Sequence, residues 1–457
     1  MTYLVVGAGL AGLAAAYKLS ERFPGADITV LDKGDSVGGL LAGKLYENNA
    51  YFDFGTHIFQ ETGSRELDDF IKSAVPHNDL IEFPAGQGDI SGVVFNQRFS
   101  ERSHFPSLLG DDIYNALIAD VLEHVSRAHI PDTIGRTDDL ASVSLARFGK
   151  KYTESVVLPL LSSMYQMPSD ALSGFSLLLP GLSRVICVEG EEWFEKSESD
   201  NFRAVVGFPN QSDLPERFRH SRKSFYSRSL GSRSFVFGIA KALERRGVKI
   251  LTDVDIREFN LRSGEIVYTQ KNSQEVSFKP TASVIAIGAV GAARLLGVEF
   301  QKYGFDKPMK HRVVNCILSA PIRSKVFYLY GLDMSADYYR VTNYAAFSGD
   351  RNDCRISIEV LGDRGISDSE LAMHLISQLR TAGVIDDQAL VFSTIESLAA
   401  GFPAPTKKNM CAMSSLAAHV ESILPENMIL GGVGSRGGLF FQNEIILDLY
   451  NRIELLS

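Results

Sequence analysis

The apolar positions of this chain fall into two periods. Tyr3 to Val6 is a short apolar run that ends in glycines, and Leu13, Ala14, Ala15, Ala16, Tyr17 and Leu19 continue it as a helix. Pro24 and Gly25 break that helix, and residues 27–31 read as a second strand ending at Asp32. Further along, Phe235, Ile239, Ala242 and Leu243 share one helical face, with Gly247 as a C-cap and 248–254 as a strand. Residues 265–269 read as a hairpin strand, and 283–288 and 427–432 as buried strands ending in glycine. A last helix begins near Asn443.

Between these pieces the pattern changes. Residues 76–205 read as mainly helical, with strong helical spacing over 111–123 and from Leu140 to Tyr165. Residues 301–400 have strand composition at 326–330, 338–344 and 354–360, crossed by a helix from Ser367 to Ala382 with Ser367 and Glu370 placed as a capping box. The pattern therefore predicts an α/β chain: a Rossmann-like dinucleotide lobe in three pieces (1–75, 206–300 and 401–457), an inserted helical region (76–205) and an antiparallel-sheet substrate domain (301–400).

The first turn carries the chemistry. Gly7, Gly9 and Gly12 stand at the spacing of a dinucleotide-binding βαβ unit, with Leu10 and Ala11 between them. Gly7 suits the tight turn, Gly9 admits a pyrophosphate to the backbone, and Gly12 lets helix and strand approach. The helix N-terminus then faces the phosphates with its N–H groups. Asp32, about 20 residues beyond the last glycine, is the expected acceptor for ribose hydroxyls.

Composition narrows the function. A net charge of −9 on 457 residues argues against a general nucleic-acid binder. Cys187, Cys316, Cys354 and Cys411 are far apart and form no C-x-x-C pair, which suits a reducing compartment. The histidines show no metal-ligand spacing, and the apolar runs are too short for an integral membrane span. The expectation is a cytoplasmic enzyme acting on a small molecule, with a homodimer allowed.

The segment after Asp32 adds a resemblance. Lys33, Gly38, Gly39 and Leu40 follow the acid, and then come Asp53, Phe54, Gly55, Thr56, His57, Ile58 and Phe59. These motifs resemble the FAD-dependent superfamily of amine oxidases, protoporphyrinogen oxidases and UDP-galactopyranose mutases, with the Gly-Thr-His-Ile-Phe stretch most similar to the mutases. The resemblance implies a glutathione-reductase-type domain in which the Gly38-Gly39 amides reach FAD phosphates and Gly55, Thr56 and His57 lie at the flavin. Val254 would meet the adenine half, and Gly288, Gly432, Arg436, Phe440 and Phe441 would close around the flavin side. Lys33 and Leu40 stand where many members carry arginines.

It also implies chemistry. His57 and Arg436 would stabilise charge on the flavin, with a capping or phosphate-pairing role open for Arg436. Arg340 matches an arginine that holds a substrate diphosphate in eukaryotic-type mutases, and Tyr344 a nearby tyrosine. Tyr165 stands where many members have tryptophan, and Arg228 and Arg233 flank Gly231 as candidate substrate contacts. Two reactions fit: hydride transfer from an anionic substrate to flavin N5, or a non-redox mutase reaction on a nucleotide sugar. A flavin-binding scaffold without turnover is a third reading. The sequence Leu-Gly-Ser-Arg-Ser at 230–234 departs from the mutases' glycine-rich motif, which favours the first.

Overall fold

The computed structural model describes residues 1–47, 49–83, 91–219, 222–270, 274–398, 401–436 and 439–456. The chain divides into two compact units: 1–83, 222–305 and 411–457 form the first, and 84–221 with 306–410 the second. The helical and strand-rich insertions thus lie in one unit.

The first unit is built on five parallel strands: β1 (Thr2–Val6), β2 (Asp27–Leu31), β3 (Lys249–Leu251), β4 (Ala282–Ile285) and β5 (Met428–Leu430), in the order β3-β2-β1-β4-β5. The register runs from Thr2 opposite Asp27 to Val6 opposite Leu31. Both faces of this sheet are buried, as near-continuous apolar strands require. Tyr3, Val5, Ile28, Val30 and Val284 face one core with Leu13, Phe235, Ile239, Leu243 and Leu449. The last five come from helices α1 (Leu10–Arg22), α2 (Gly231–Arg245) and, after α3 (Gly288–Leu295), α4 (Gln442–Ile453). Leu4, Val6, Leu31, Ile285 and Leu430 face the other core with Ala289, Ala292, Leu416 and Val420.

The predicted 248–254 strand is two strands. Chain direction changes at Asp253, whose φ is 54°, and Val254–Phe259 starts a separate antiparallel sheet with Ile266–Gln270 and Glu275–Phe278.

The second unit holds a seven-stranded mixed sheet, ordered Leu390–Ser397, His311–Leu318, Arg355–Leu361, Arg340–Asn343, Tyr328–Gly331, Ser91–Phe95 and Arg98–Ser100. All neighbours run antiparallel except Tyr328–Gly331 with Ser91–Phe95. Two of its strands come from the stretch read as helical. One face, with Val314, Cys316, Val341, Ile356, Ile358 and Val360, packs on Leu371, Leu375 and Leu379 of helix Asp368–Thr381. The predicted capping box does not form there: Ser367 Oγ donates to Glu370 Oε2 at 2.5 Å, and no side chain caps the helix backbone. The run from Leu140 to Tyr165 is broken at Gly149, and the π-turn Thr153–Val157 precedes Pro159. Proline supplies no N–H to the preceding turn, and a widened turn accommodates that loss. The predicted strand 338–344 is shorter, because Tyr344–Ser348 turns into a helix.

Candidate functional site

At the carboxyl end of β1 the glycine turn closes as its spacing predicts. A Cβ at Gly12 would overlap the carbonyl oxygen of Gly7, so only glycine permits this helix–strand approach. Around a Cβ at Gly9 there is open space, and no side chain caps α1. Leu10 is buried beneath the turn, and Ala11 is half-buried. Gly9 bridges to Gly38, whose N–H donates to Ala8 O at 2.8 Å. Gly39 and Leu40 are exposed at the same edge, as is Lys33.

Asp32 organises this edge. Its Oδ2 accepts from Ala8 N–H at 2.6 Å and its Oδ1 from Gly34 N–H at 2.7 Å. Each oxygen keeps acceptor capacity for a ribose hydroxyl. The Asp32 carbonyl takes the N–H of buried Val254 at 2.9 Å, which pins the start of the next sheet.

Asp53 joins three segments. Only 1% exposed, it accepts from Tyr51 Oη at 2.6 Å, from Ser232 Oγ at 2.5 Å, from Ser232 N–H at 3.2 Å and from Tyr226 Oη. Ser232 Oγ also lies 3.0 Å from Leu41 O, and Arg233 donates to Ala42 O at 3.2 Å while covering the Phe237 ring. The Gly38–Ala42 loop, the arm carrying Gly55, Thr56 and His57, and the start of α2 are therefore tied together. His57 is half-buried with Nε2 3.2 Å from Phe54 O, and Gly55 and Thr56 are buried. Phe59, at the end of the arm, packs on Phe225 and Phe235. Arg228 is exposed on the turn before α2.

Gly288 and Gly432 meet each other. A Cβ on Gly432 would lie 2.5 Å from Gly288 N, and one on Gly288 would lie 2.7 Å from Val433 O. Their glycine identity therefore follows from backbone packing at the ends of β4 and β5. Ile287 and Val433 are exposed apolar side chains just past these strands, and Leu40 is exposed on the Gly39–Leu41 turn. Arg436 makes ion pairs with Glu421 at 3.8 Å and Asp448 at 3.5 Å. Its side chain is about half exposed, so solvent screens both pairs. Phe440 and Phe441 stack edge to face before α4, while Gly437 and Gly438 of the same turn lie outside the described residues.

In the second unit, the predicted substrate residues join a buried polar network on the sheet face opposite the helix. Arg340 binds Glu359 through both oxygens, at 2.7 and 3.1 Å, and His311 Nε2 lies 3.3 Å from Glu359 Oε2. Burial raises the Glu359 carboxyl, but Arg340 and His311 outweigh it and hold Glu359 well below the usual carboxylate range. Burial likewise opposes the charge on Arg340, and Glu359 with Tyr330 and Tyr339 restores it, holding the guanidinium above its ordinary value. The Tyr339 hydroxyl donates to Leu179 O at 2.8 Å and that of Tyr165 to Ser176 O at 3.3 Å. Burial pushes both phenols far up. Tyr344 is buried in the next row, its hydroxyl 3.2 Å from Ser357 Oγ, which donates to Asn315 Oδ1 at 2.6 Å.

Sequence reasoning missed Glu359 and His311. The signal for Glu359 was present: Arg355, Ser357 and Glu359 alternate with Ile356, Ile358 and Val360, so one face of that strand is polar.

Ligands of open α/β sheets bind outside the carboxyl ends of the strands, where β1 and β4 diverge to opposite sides. The glycine turn, Asp32 and the exposed apolar rim of this chain occupy that position and fit a dinucleotide. The profile of the NAD(P)-binding Rossmann-like domain matches residues 5–74. That profile covers one part of the first unit, and a likeness to solved structures extends over nearly the whole chain. Reduced UDP-galactopyranose mutase superposes with a TM-score of 0.72 at 15% identity, over 99% of this chain and 93% of its own. A protein from Exiguobacterium sp. 255-15 assigned as a protoporphyrinogen oxidase gives 0.67 at 17%, over 99% and 98%. A putrescine oxidase redesigned in cofactor binding gives 0.62 at 12%, over 99% and 98%. At these identities the likeness is one of fold. No curated protein sequence matches the chain.

Proposed function

We propose that this chain is an FAD-dependent oxidoreductase acting on a small anionic substrate. The observation that carries the cofactor reading is the cradle of Gly9, Gly38 and Gly39 beside Asp32, with the first turn of α1 open to phosphate. Gly9 and Gly39 would hold the pyrophosphate through backbone N–H groups, with Gly38 holding the loop to the turn through Ala8 O, Asp32 would hold a ribose, and the Gly55-Thr56-His57 arm would meet the flavin. FAD supplies a hydride acceptor when bound. His57 would hold or release a proton at Nδ1 or Nε2 beside the ring, and Asp53 keeps the arm carrying it in register with α2.

The second reading is a mutase acting on a nucleotide sugar with reduced FAD, favoured by the 0.72 TM-score to reduced UDP-galactopyranose mutase. Against it, the guanidinium of Arg340 is matched by a buried carboxylate. A diphosphate clamp there would have to displace Glu359 or leave three anionic groups around one cation. Anaerobic spectra of the flavin-loaded protein decide between the readings. An oxidoreductase substrate bleaches oxidised flavin without added reductant. A mutase leaves it yellow and turns over a nucleotide sugar only after dithionite reduction, and that outcome would overturn the oxidoreductase reading.

A further inference from the structure

The second unit contains a cavity of about 410 Å³ lined by Arg184, Trp193, Arg203, Arg217, Phe218 and Arg219. Its size falls among small-molecule sites. Four arginines meet there in a chain of net charge −9, and Glu198 is the one carboxylate among the lining residues. Asp200 takes up part of the charge of Arg203. Arg219 donates to neutral carbonyls, Nε to Leu214 O at 2.5 Å and Nη2 to Ser212 O at 3.4 Å, and these two contacts orient its charge without cancelling it. Arg217 stands 4.0 Å from Glu198, with side chains 67% and 87% exposed, a contact that solvent largely screens.

The positive groups rest on a fixed platform. Trp193 donates its ring N–H to Val206 O at 3.0 Å and meets Phe218 and Phe208 edge to face. Arg217 and Arg203 lie over Phe218, at 4.6 and 5.7 Å from its ring centre. Outside the lining, Arg147 donates to Ser183 O, and burial together with the lining residue Arg184 lowers its guanidinium to about 10. This accumulation of like charge around one opening is unfavourable on its own, and an anion relieves it.

We propose that this cavity binds a compact polyanion carrying phosphate or carboxylate groups, at a site separate from the dinucleotide cradle. Planar guanidinium forks suit both oxyanions. Flavin-loaded protein, titrated calorimetrically with pyrophosphate and separately with citrate at constant ionic strength, tests it. At least one should bind saturably with one site per chain, and which one binds tells phosphate from carboxylate chemistry. Arg217→Glu should weaken that binding about tenfold or more at unchanged flavin content, and Arg217→Gln should weaken it less. Lys150→Glu makes the same charge change at an exposed position outside the cavity lining and should leave affinity within about twofold. Absence of saturable binding by either anion, or equal weakening by Lys150→Glu, would overturn the proposal.

Discussion

The two sheets of this protein carry polar chemistry in opposite ways. The parallel sheet is apolar on both faces, and its polar groups gather at the strand ends, where glycines let backbone segments approach closely. The mixed sheet is apolar on one face only. Its other face buries Asn315, Thr342, Ser357 and Glu359 in side-chain networks that run from strand to strand. A site made of backbone tolerates varied side chains but not an added Cβ. A site made of cross-strand side chains depends on every partner being present.

The largest expected effect tests that dependence. Glu359→Ala leaves the Arg340 guanidinium buried without its carboxylate and should cost about 3–5 kcal/mol. The double change Arg340→Met with Glu359→Leu should recover most of the loss. Urea unfolding of the three proteins checks this, and a double variant no better than the single one would mean that the pair holds the strands in register.

Gly12→Ala probes the other sheet. Its Cβ has to push α1 away from Gly7, with an expected cost of roughly 1–3 kcal/mol and loss of bound FAD. Retained flavin at unchanged urea midpoint would show that the turn yields without harm.

Asp32→Ala removes the acceptor of Ala8 and Gly34 N–H together with the proposed ribose ligand. It should weaken FAD binding by about 1.5–3 kcal/mol, read by flavin fluorescence on dilution. If thermal stability of the flavin-free protein falls as much as affinity does, the carboxylate serves the loop alone.

Acid separates the sheets by titration. The carboxyl of Glu359 has a folded pKa below its unfolded value of about 4.3, so its contribution is complete above that pH and is lost as pH falls toward the folded value. Hydrogen exchange between pH 5 and 3 should show the strands around Arg340 losing protection, and Glu359→Gln should flatten that dependence. The smallest effect belongs to Tyr344→Phe, which removes one hydroxyl from the Ser357–Asn315 row and should cost about 1 kcal/mol. A large loss of substrate affinity at unchanged stability would instead support Tyr344 as a substrate contact.

Much of the first unit was legible in the chain alone, because its determinants are local. The apolar run, the glycine spacing and the acid after β2 lie within the first 32 residues, and backbone geometry leaves little choice about the turn they form. The same is true of the buried face of α2, read from Phe235, Ile239 and Leu243. The partner of Arg340, by contrast, lies 19 residues away on a strand whose register is set by hydrogen bonding between strands. Likewise, Arg436 lies close to glycines in sequence but is drawn to Glu421 and Asp448 on two helices. The parallel entry of Ser91–Phe95 beside Tyr328–Gly331 joins stretches more than 200 residues apart. Period and spacing determine what a segment does to its own backbone. Which charge meets which, and what each leaves open to a ligand, depends on long-range pairing and on the cost of burying an unmatched ion, and that was decided only by the tertiary structure.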